Sequence, residues 1–302
     1  MSRMRVLTLV GAPLAPEAAL EAASFLRAQG AELEAQRELS EGEAEDILFQ
    51  GGPEDDRALA EAIRALLPGV DVAIQPVEGR RKRLLAADMD STMVTGETID
   101  ELAEAAGVGP QVAAITQAAM RGELDFEQAL DSRLAQIRGL PEAILQQVSD
   151  RLVLSPGARE LVATMRWGGA FTMLVSGGFH GPADDCGRRL GFELVRANRL
   201  IREEDKLTGA AERPLVTGDV KLALLRERAE ALGIGPEAAM AIGDGSNDIP
   251  MLQAAGLGIA YHAKPKTRAA ARFAIDHTDL RTALFYQGYD AEDLAEALGG
   301  AA

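Results

Sequence analysis

One cysteine, Cys186, among 302 residues excludes an internal disulfide and fits a reducing compartment. Its helical surroundings make it a buried or half-buried inert thiol rather than a nucleophile. Long apolar runs are absent too. No stretch approaches the roughly 20 residues that cross a bilayer. No charged-then-apolar leader opens the chain, so neither export nor membrane spanning is indicated and the cytoplasm is the expected compartment. Positive charge is scarce: 31 Lys and Arg against 47 Asp and Glu leave a net charge of −16, which argues against nucleic acid as a partner. The histidines, His180, His262 and His277, are not clustered at metal-ligand spacing, and repeats and low-complexity tracts are missing. What is present is an apolar content of 47% in a chain long enough for about two domains, at roughly 150 residues each.

Several apolar runs end in reactive groups. Leu84-Leu85-Ala86-Ala87 delivers Asp88 and Asp90, followed by Ser91 and Thr92, beyond the end of an expected strand, where open α/β sheets gather their chemistry. A second run, from Ala170, leads into Ser176-Gly177-Gly178, a hydroxyl beside glycines that let backbone N–H groups approach an oxyanion. A third, Ala239-Met240-Ala241-Ile242, feeds Gly243-Asp244-Gly245-Ser246-Asn247-Asp248. Mg²⁺ prefers oxygen ligands and is held by one or two carboxylates together with substrate phosphate, so Asp88 and Asp244 suit one site. Lys221 opens an expected helix and offers a compact ammonium to a phosphate. Singly, each pattern has a plainer reading: a solvated acidic turn, a strand-to-helix turn, a surface lysine. In the order D-x-D-x-T, S-G-G, K, G-D-G-x-N-D they are jointly far stronger.

In that order the motifs resemble those of the haloacid dehalogenase-type phosphotransferases, over about Arg83 to Tyr286. Gly96–Ala103 and Ile115–Leu130 resemble the helical cap of the phosphoserine phosphatases within that family. The resemblance implies a Mg²⁺-dependent phosphatase acting on a small phosphorylated amino acid through an aspartyl-phosphate. Asp88 would be the nucleophile, and Asp90 the acid that protonates the leaving alkoxide and the base that then activates water. Ser176, the N–H of Gly177 and Lys221 would bind phosphoryl oxygens. Asp88, Asp90 and Asp244 are the expected metal ligands, with Asp248 behind them and Asn247 on the phosphate. In the cap, Glu97 would meet the substrate's ammonium and Arg133 its carboxylate, under an apolar lid of Met120 and Phe126. Cap residues also read plainly, Met120 and Phe126 as helix core and Glu97 and Arg133 as a solvated face. On so acidic a chain, attraction of a phosphorylated substrate must be local. Two other functions stay open: a phosphatase or phosphotransferase acting on another small metabolite, and an amino-acid-responsive regulator with a silent scaffold.

The expected architecture is α/β. Strands alternating with helices after residue 81 predict a doubly wound parallel, Rossmann-like sheet over 81–302, with a helical cap inserted at about 95–155. Residues 1–80 read as βαββαβ, a ferredoxin-like fold that resembles a divergent ACT domain. The protein partner this domain suggests is a second copy of the chain, paired through it. Arg80-Arg81-Lys82-Arg83 reads as a solvated hinge, Trp167 as packing at a helix end, and the stretch around Asp205 as a hairpin.

Overall fold

The structure, a computed structural model, describes residues 3–121, 123–124 and 126–299. The chain opens with β1 (Arg5–Val10), α1 (Pro16–Ala28), β2 (Ala31–Ser40), β3 (Ala44–Gly51), α2 (Asp56–Leu66) and β4 (Asp71–Pro76). These strands form an antiparallel sheet in the order β2-β3-β1-β4, the ferredoxin-like arrangement that the βαββαβ pattern predicts. Every residue of β1 is buried because both faces are covered. Leu7 and Leu9 pack with Leu26 and Ile63 of the two helices. On the opposite face Val10, Ala44 and Ala73 join a core cluster containing Leu284, Tyr286 and Tyr289 from the far end of the chain.

The second unit begins with β5 (Leu84–Ala87), followed by an irregular turn over Met89–Met93. The cap helices come next: α3 (Thr98–Ala105), α4 (Gly109–Met120), α5 (Phe126–Ala135) and α6 (Ile144–Arg151). Then follow α7 (Ala158–Trp167), β6 (Phe171–Phe179), α8 (Pro182–Leu190), β7 (Leu194–Asn198), β8 (Leu200–Glu203), β9 (Lys206–Ala211) and α9 (Gly218–Ala231). The last elements are β10 (Ala239–Gly243), α10 (Ile249–Ala254), β11 (Leu257–Tyr261), α11 (Pro265–Ala270), β12 (Phe273–Ile275), α12 (Thr282–Phe285) and α13 (Ala291–Gly299). The parallel sheet has the order β12-β11-β10-β5-β6-β7. The chain winds outward from β5 to β7, then returns to β10 on the other side of β5. That reversal leaves a crevice at the carboxyl ends of β5 and β10, where α/β sheets bind their ligands.

A narrow neck joins the cap to this sheet. Val94 bridges Leu154, and the Thr95 N–H donates to the Val153 carbonyl at 2.9 Å. The hairpin expected around Asp205 forms as β8 and β9, and it belongs to the cap: Leu200 and Leu207 share a core with Leu102, Leu130, Leu134 and Val148.

Several expectations need correction. Arg80–Arg83 is not a solvated hinge. Arg80 donates to Asp46 Oδ2 at 2.8 Å, Lys82 is buried on the carbonyls of Gly79 and Glu237, and Arg81 lies 4.1 Å from the Tyr289 ring centroid. The buried Asp46 carboxylate requires a partner, and the linker supplies it. Trp167 stands 46% exposed at the end of α7, so its ring is only about half covered and lies outside the core. Helix α9 starts at Gly218, so Lys221 lies in its first turn instead of opening it.

Candidate active site

Strand β5 runs centrally in the sheet, and the Asp88 N–H continues its ladder by donating to the Ile242 carbonyl at 3.0 Å. Directly after it, Ser91 adopts a left-handed conformation (φ +54°), and the chain turns sharply toward the cap. Asp88 is thereby left at the strand end, and Asp90 faces the first turn of α3. Its Oδ1 accepts from the Thr98 N–H at 2.9 Å and its Oδ2 from the Thr98 hydroxyl at 3.1 Å.

Asp88, Asp244 and Asp248 each offer a carboxylate oxygen within 4.8 Å of the others, and all three residues are buried. Lys221, with no exposed surface, donates to Asp88 Oδ1 at 2.6 Å and to Asp248 Oδ1 at 2.7 Å. Burial opposes its charge, but the two carboxylates outweigh burial and hold the ammonium above its usual range. Burial and then the Asp88 charge raise Asp244 to about 6 and Asp248 to about 7. Crowded carboxylates that resist ionising in this way suit a hard cation, which takes oxygen ligands and removes their repulsion. The donor set and burial therefore fit a divalent metal. A Cβ at Gly243 would lie 2.5 Å from the Asp248 carboxyl, so only glycine lets that group in.

The Asp90 carboxylate is not part of this cluster. The sequence placed it among the metal ligands, whereas Thr98 draws its side chain away toward the cap. Burial, then the charges of Asp88 and Glu97, push it up to about 7, so it can hold a proton near neutrality.

These groups border a cavity of about 240 Å³, lined by Asp88, Asp90, Glu97, Arg133, Asp244 and Asn247. Ser176, Lys221 and Asp248 lie buried. The Ser176 Oγ accepts from the Gly178 N–H at 2.8 Å. A Cβ at Gly178 would come within 2.8 Å of both Asp90 Oδ2 and Thr98 Oγ1, so the turn after Ser176 requires glycine there. Ser91 Oγ donates to Glu97 Oε1 at 3.1 Å. Arg133 Nε donates to the Ala129 carbonyl of its own helix at 3.3 Å. Burial lowers the pKa of Arg133, partly countered by Asp100, Glu97 and Asp90. The structure thus brings together Asp88, Asp90, Ser176, Gly177, Lys221, Asp244, Asn247 and Asp248 with both charged cap residues. Met120 and Phe126 end α4 and begin α5, but their side chains lie outside the described residues. A larger cleft of about 810 Å³ opens beside α6 and the hairpin, but it holds none of the acidic cluster.

Sequence reasoning missed Thr98, Lys264 and Asn198. Lys264 follows β11, lines the cavity, and places Nζ 3.8 Å from Asp244 Oδ2. Its position just past a strand end, like those of Asp88 and Asp244, was the available signal. Asn198 donates from Nδ2 to the Gly177 carbonyl and accepts at Oδ1 from the Val216 N–H, both at 2.8 Å. Nothing local in the sequence marks that contact.

Residues 85–253 match the sequence pattern of the haloacid dehalogenase-like hydrolases. The phosphoserine phosphatase of Streptococcus thermophilus is 46% identical over 199 residues, which is 66% of this chain and 93% of that protein. Phosphoserine phosphatase SerB2 of Mycobacterium tuberculosis is 43% identical over 233 residues, 76% of this chain but 57% of that longer protein. Among solved structures, a phospho-aspartyl intermediate analogue of a phosphoserine phosphatase superposes with a TM-score of 0.64 at 39% identity, covering 68% of this chain and 99% of that one.

Proposed function

This chain belongs to the haloacid dehalogenase-like hydrolases, within them to the phosphoserine phosphatases, and from that premise we propose that it hydrolyses O-phospho-L-serine to L-serine and phosphate with Mg²⁺. One observation carries the reading. A buried carboxylate, Asp88, is fixed by Lys221 beside two further carboxylates, while a second carboxylic acid, Asp90, holds a proton near neutrality at the same cavity.

In the first step Asp88 attacks phosphorus, the bond from phosphorus to the serine oxygen breaks, and the Asp90 proton passes to the departing alkoxide. In the second, Asp90 as carboxylate takes a proton from water. That water attacks phosphorus, the acyl phosphate on Asp88 breaks, and phosphate leaves. A carboxylate so near the phosphoenzyme shortens its life, which suits a phosphatase better than a kinase-like relative. Ser176, the Gly177 N–H and Lys221 bind phosphoryl oxygens, and Asn247 positions the phosphate. Asp88, Asp244 and Asp248 would hold Mg²⁺, which supplies neutralisation of charge on the phosphoryl oxygens. The Asp90 side chain stays on Thr98. Glu97 and Arg133 take the ammonium and carboxylate of the amino acid, under a lid that includes Met120 and Phe126.

Residues 1–80 are read as an ACT-like unit, through which two copies would pair, and residues 81–302 as the phosphatase with its cap at about 95–155. No helix among the described residues is long and apolar enough to cross a membrane, and a cytoplasmic enzyme fits that.

The test is Mg²⁺-dependent phosphate release from phosphoserine and from phosphoethanolamine, which lacks the carboxylate. A large preference for phosphoserine is expected, shrinking in Arg133→Ala, whose kcat/KM should fall by about 2–5 kcal/mol. Equal turnover of both compounds, or an unchanged preference in the variant, would refute the substrate.

A further inference from the structure

The Gly177-Gly178 dipeptide presents a physical problem. The site demands glycine at 178, because Asp90, Thr98 and Ser176 leave no room for a Cβ. Two adjacent glycines leave the peptide between them little steric barrier to flipping. Its orientation matters. As observed, the Gly178 N–H donates to Ser176 Oγ at 2.8 Å, which occupies an acceptor position of that oxygen and leaves its O–H free to donate elsewhere. A flipped peptide would withdraw this N–H and turn a carbonyl oxygen toward an anion.

We propose that Asn198 is a positioning residue that locks the Gly177-Gly178 peptide, and with it the Ser176 hydroxyl, for phosphoryl binding. Asn198 ends β7 and is 3% exposed. Its Nδ2 donates to the Gly177 carbonyl at 2.8 Å, holding that oxygen on the sheet side of the turn. Its Oδ1 accepts from the Val216 N–H at 2.8 Å, and its own carbonyl accepts from the His180 N–H at 2.9 Å. Only one orientation of the carboxamide satisfies both side-chain contacts, since one partner is a carbonyl and the other an N–H. The pairing of β6 with β7 breaks register between Val175 and Phe179, and Asn198 is the partner at which it resumes. The bulge so created is the Ser176–Gly178 turn. The same carboxamide reaches the entrance of α9, where the Lys221 N–H donates to the Thr217 carbonyl at 2.9 Å. One buried side chain therefore sets the register between the two elements that carry Ser176 and Lys221.

This rests on the reading of Ser176 and Lys221 as phosphoryl ligands. The test uses Asn198→Ala and Asn198→Asp in the full chain. The aspartate variant keeps an acceptor for the Val216 N–H but offers no N–H to the Gly177 carbonyl. Three quantities are measured: kcat/KM for phosphoserine and for p-nitrophenyl phosphate, the melting temperature, and the rise in melting temperature produced by inorganic phosphate with Mg²⁺. In both variants kcat/KM should fall by about 10- to 100-fold, equally for the two substrates. That is less than the 10²–10³ lost when an oxyanion donor is removed outright. The phosphate-induced rise should shrink at least by about half while unfolding stays cooperative. Retention of activity and of the phosphate response within about twofold overturns the proposal, and so does a loss confined to phosphoserine. Loss of the fold in both variants also overturns it, because the carboxamide would then be a structural tie alone. The phosphate response is read even if the parent proves inactive on phosphoserine, an outcome that would count against the proposed substrate and leave the Asn198 measurement standing.

Discussion

Replacing Lys221 by methionine removes a charge of no exposed surface while nearly keeping its volume, and leaves the Asp88 and Asp248 carboxylates facing each other. Their nearest oxygens lie within 4.8 Å. At that separation and an effective dielectric of about 20, two full charges repel by about 3 kcal/mol. Stranding one partner of a buried ion pair typically costs about 3–5 kcal/mol. At pH 8, without divalent metal, Lys221→Met should thus lose about 3–5 kcal/mol, or about 6–20 °C in melting temperature at 2–4 °C per kcal/mol for domains of this size. The penalty depends on pH with a definite sign. Asp248 already ionises only near 7 in the fold, far above its unfolded range, so its charge weakens the folded state as pH rises from about 4 through 7. Without the ammonium that range extends upward, and the gap between parent and variant should widen from pH 5.5 to pH 8. Mg²⁺ replaces the missing cation and should raise the melting temperature of the variant more than that of the parent. Calorimetry at the two pH values, with and without Mg²⁺, measures all of this. A loss below about 2 °C at pH 8, or a gap that ignores both pH and Mg²⁺, would refute the reasoning.

Asp88→Asn should abolish turnover and the alkali-labile phosphoenzyme that acid quenching traps in the parent; robust phosphate release from it would sink the covalent mechanism. Asp90→Asn should slow phosphoserine turnover by about 10²–10⁴-fold while sparing the first step for p-nitrophenyl phosphate, whose leaving group needs no proton. Because Asp90 is protonated below about 7, the first step on phosphoserine should decline as pH climbs past that value, and a flat single-turnover profile from pH 6 to 8.5 would count against it. Asp71 accepts from the backbone N–H groups of Asp276, His277 and Thr278 and from the Thr278 hydroxyl. Asp71→Ala should lower unfolding stability by about 2–3 kcal/mol, checked by the urea midpoint, with kcat little changed.

The site was legible where strand ends define it. Asp88, Ser176 and Asp244 each follow an apolar run, and a parallel sheet brings such ends to one edge whatever the loops do. Lys221 was legible as a helix-borne charge, though not its fit between two carboxylates, which depends on α9 entering at Gly218. The capture of Asp90 by Thr98 depends on the left-handed Ser91, a conformation serine seldom declares in sequence. Strand β7 and the bulge in β6 depend on pairing between segments distant in the chain, and so does the membership of β8 and β9 in the cap. Arg80–Arg83 misled because a run of like charges is ordinarily solvated. Here Asp46, Asp293 and the Tyr289 ring, contributed by other parts of the fold, engage it.

The junction at Asp71 also bears on how the chain is made. The outer face of the first sheet is complete once β4 leaves the ribosome, yet the groups that cover it arrive with residues 276–289, 205 positions after Asp71 at the nearest contact. At a synthesis rate of about 5–20 residues per second, Val10, Ala44, Ala73 and the Asp71 carboxylate wait roughly 10–40 s for their partners. During that interval the N-terminal unit is a half-covered sheet with an apolar surface, the kind of nascent species that chaperones hold. The first sheet is thus sealed only after residues 276–289 have emerged, and a chain halted before β12 would leave that face open.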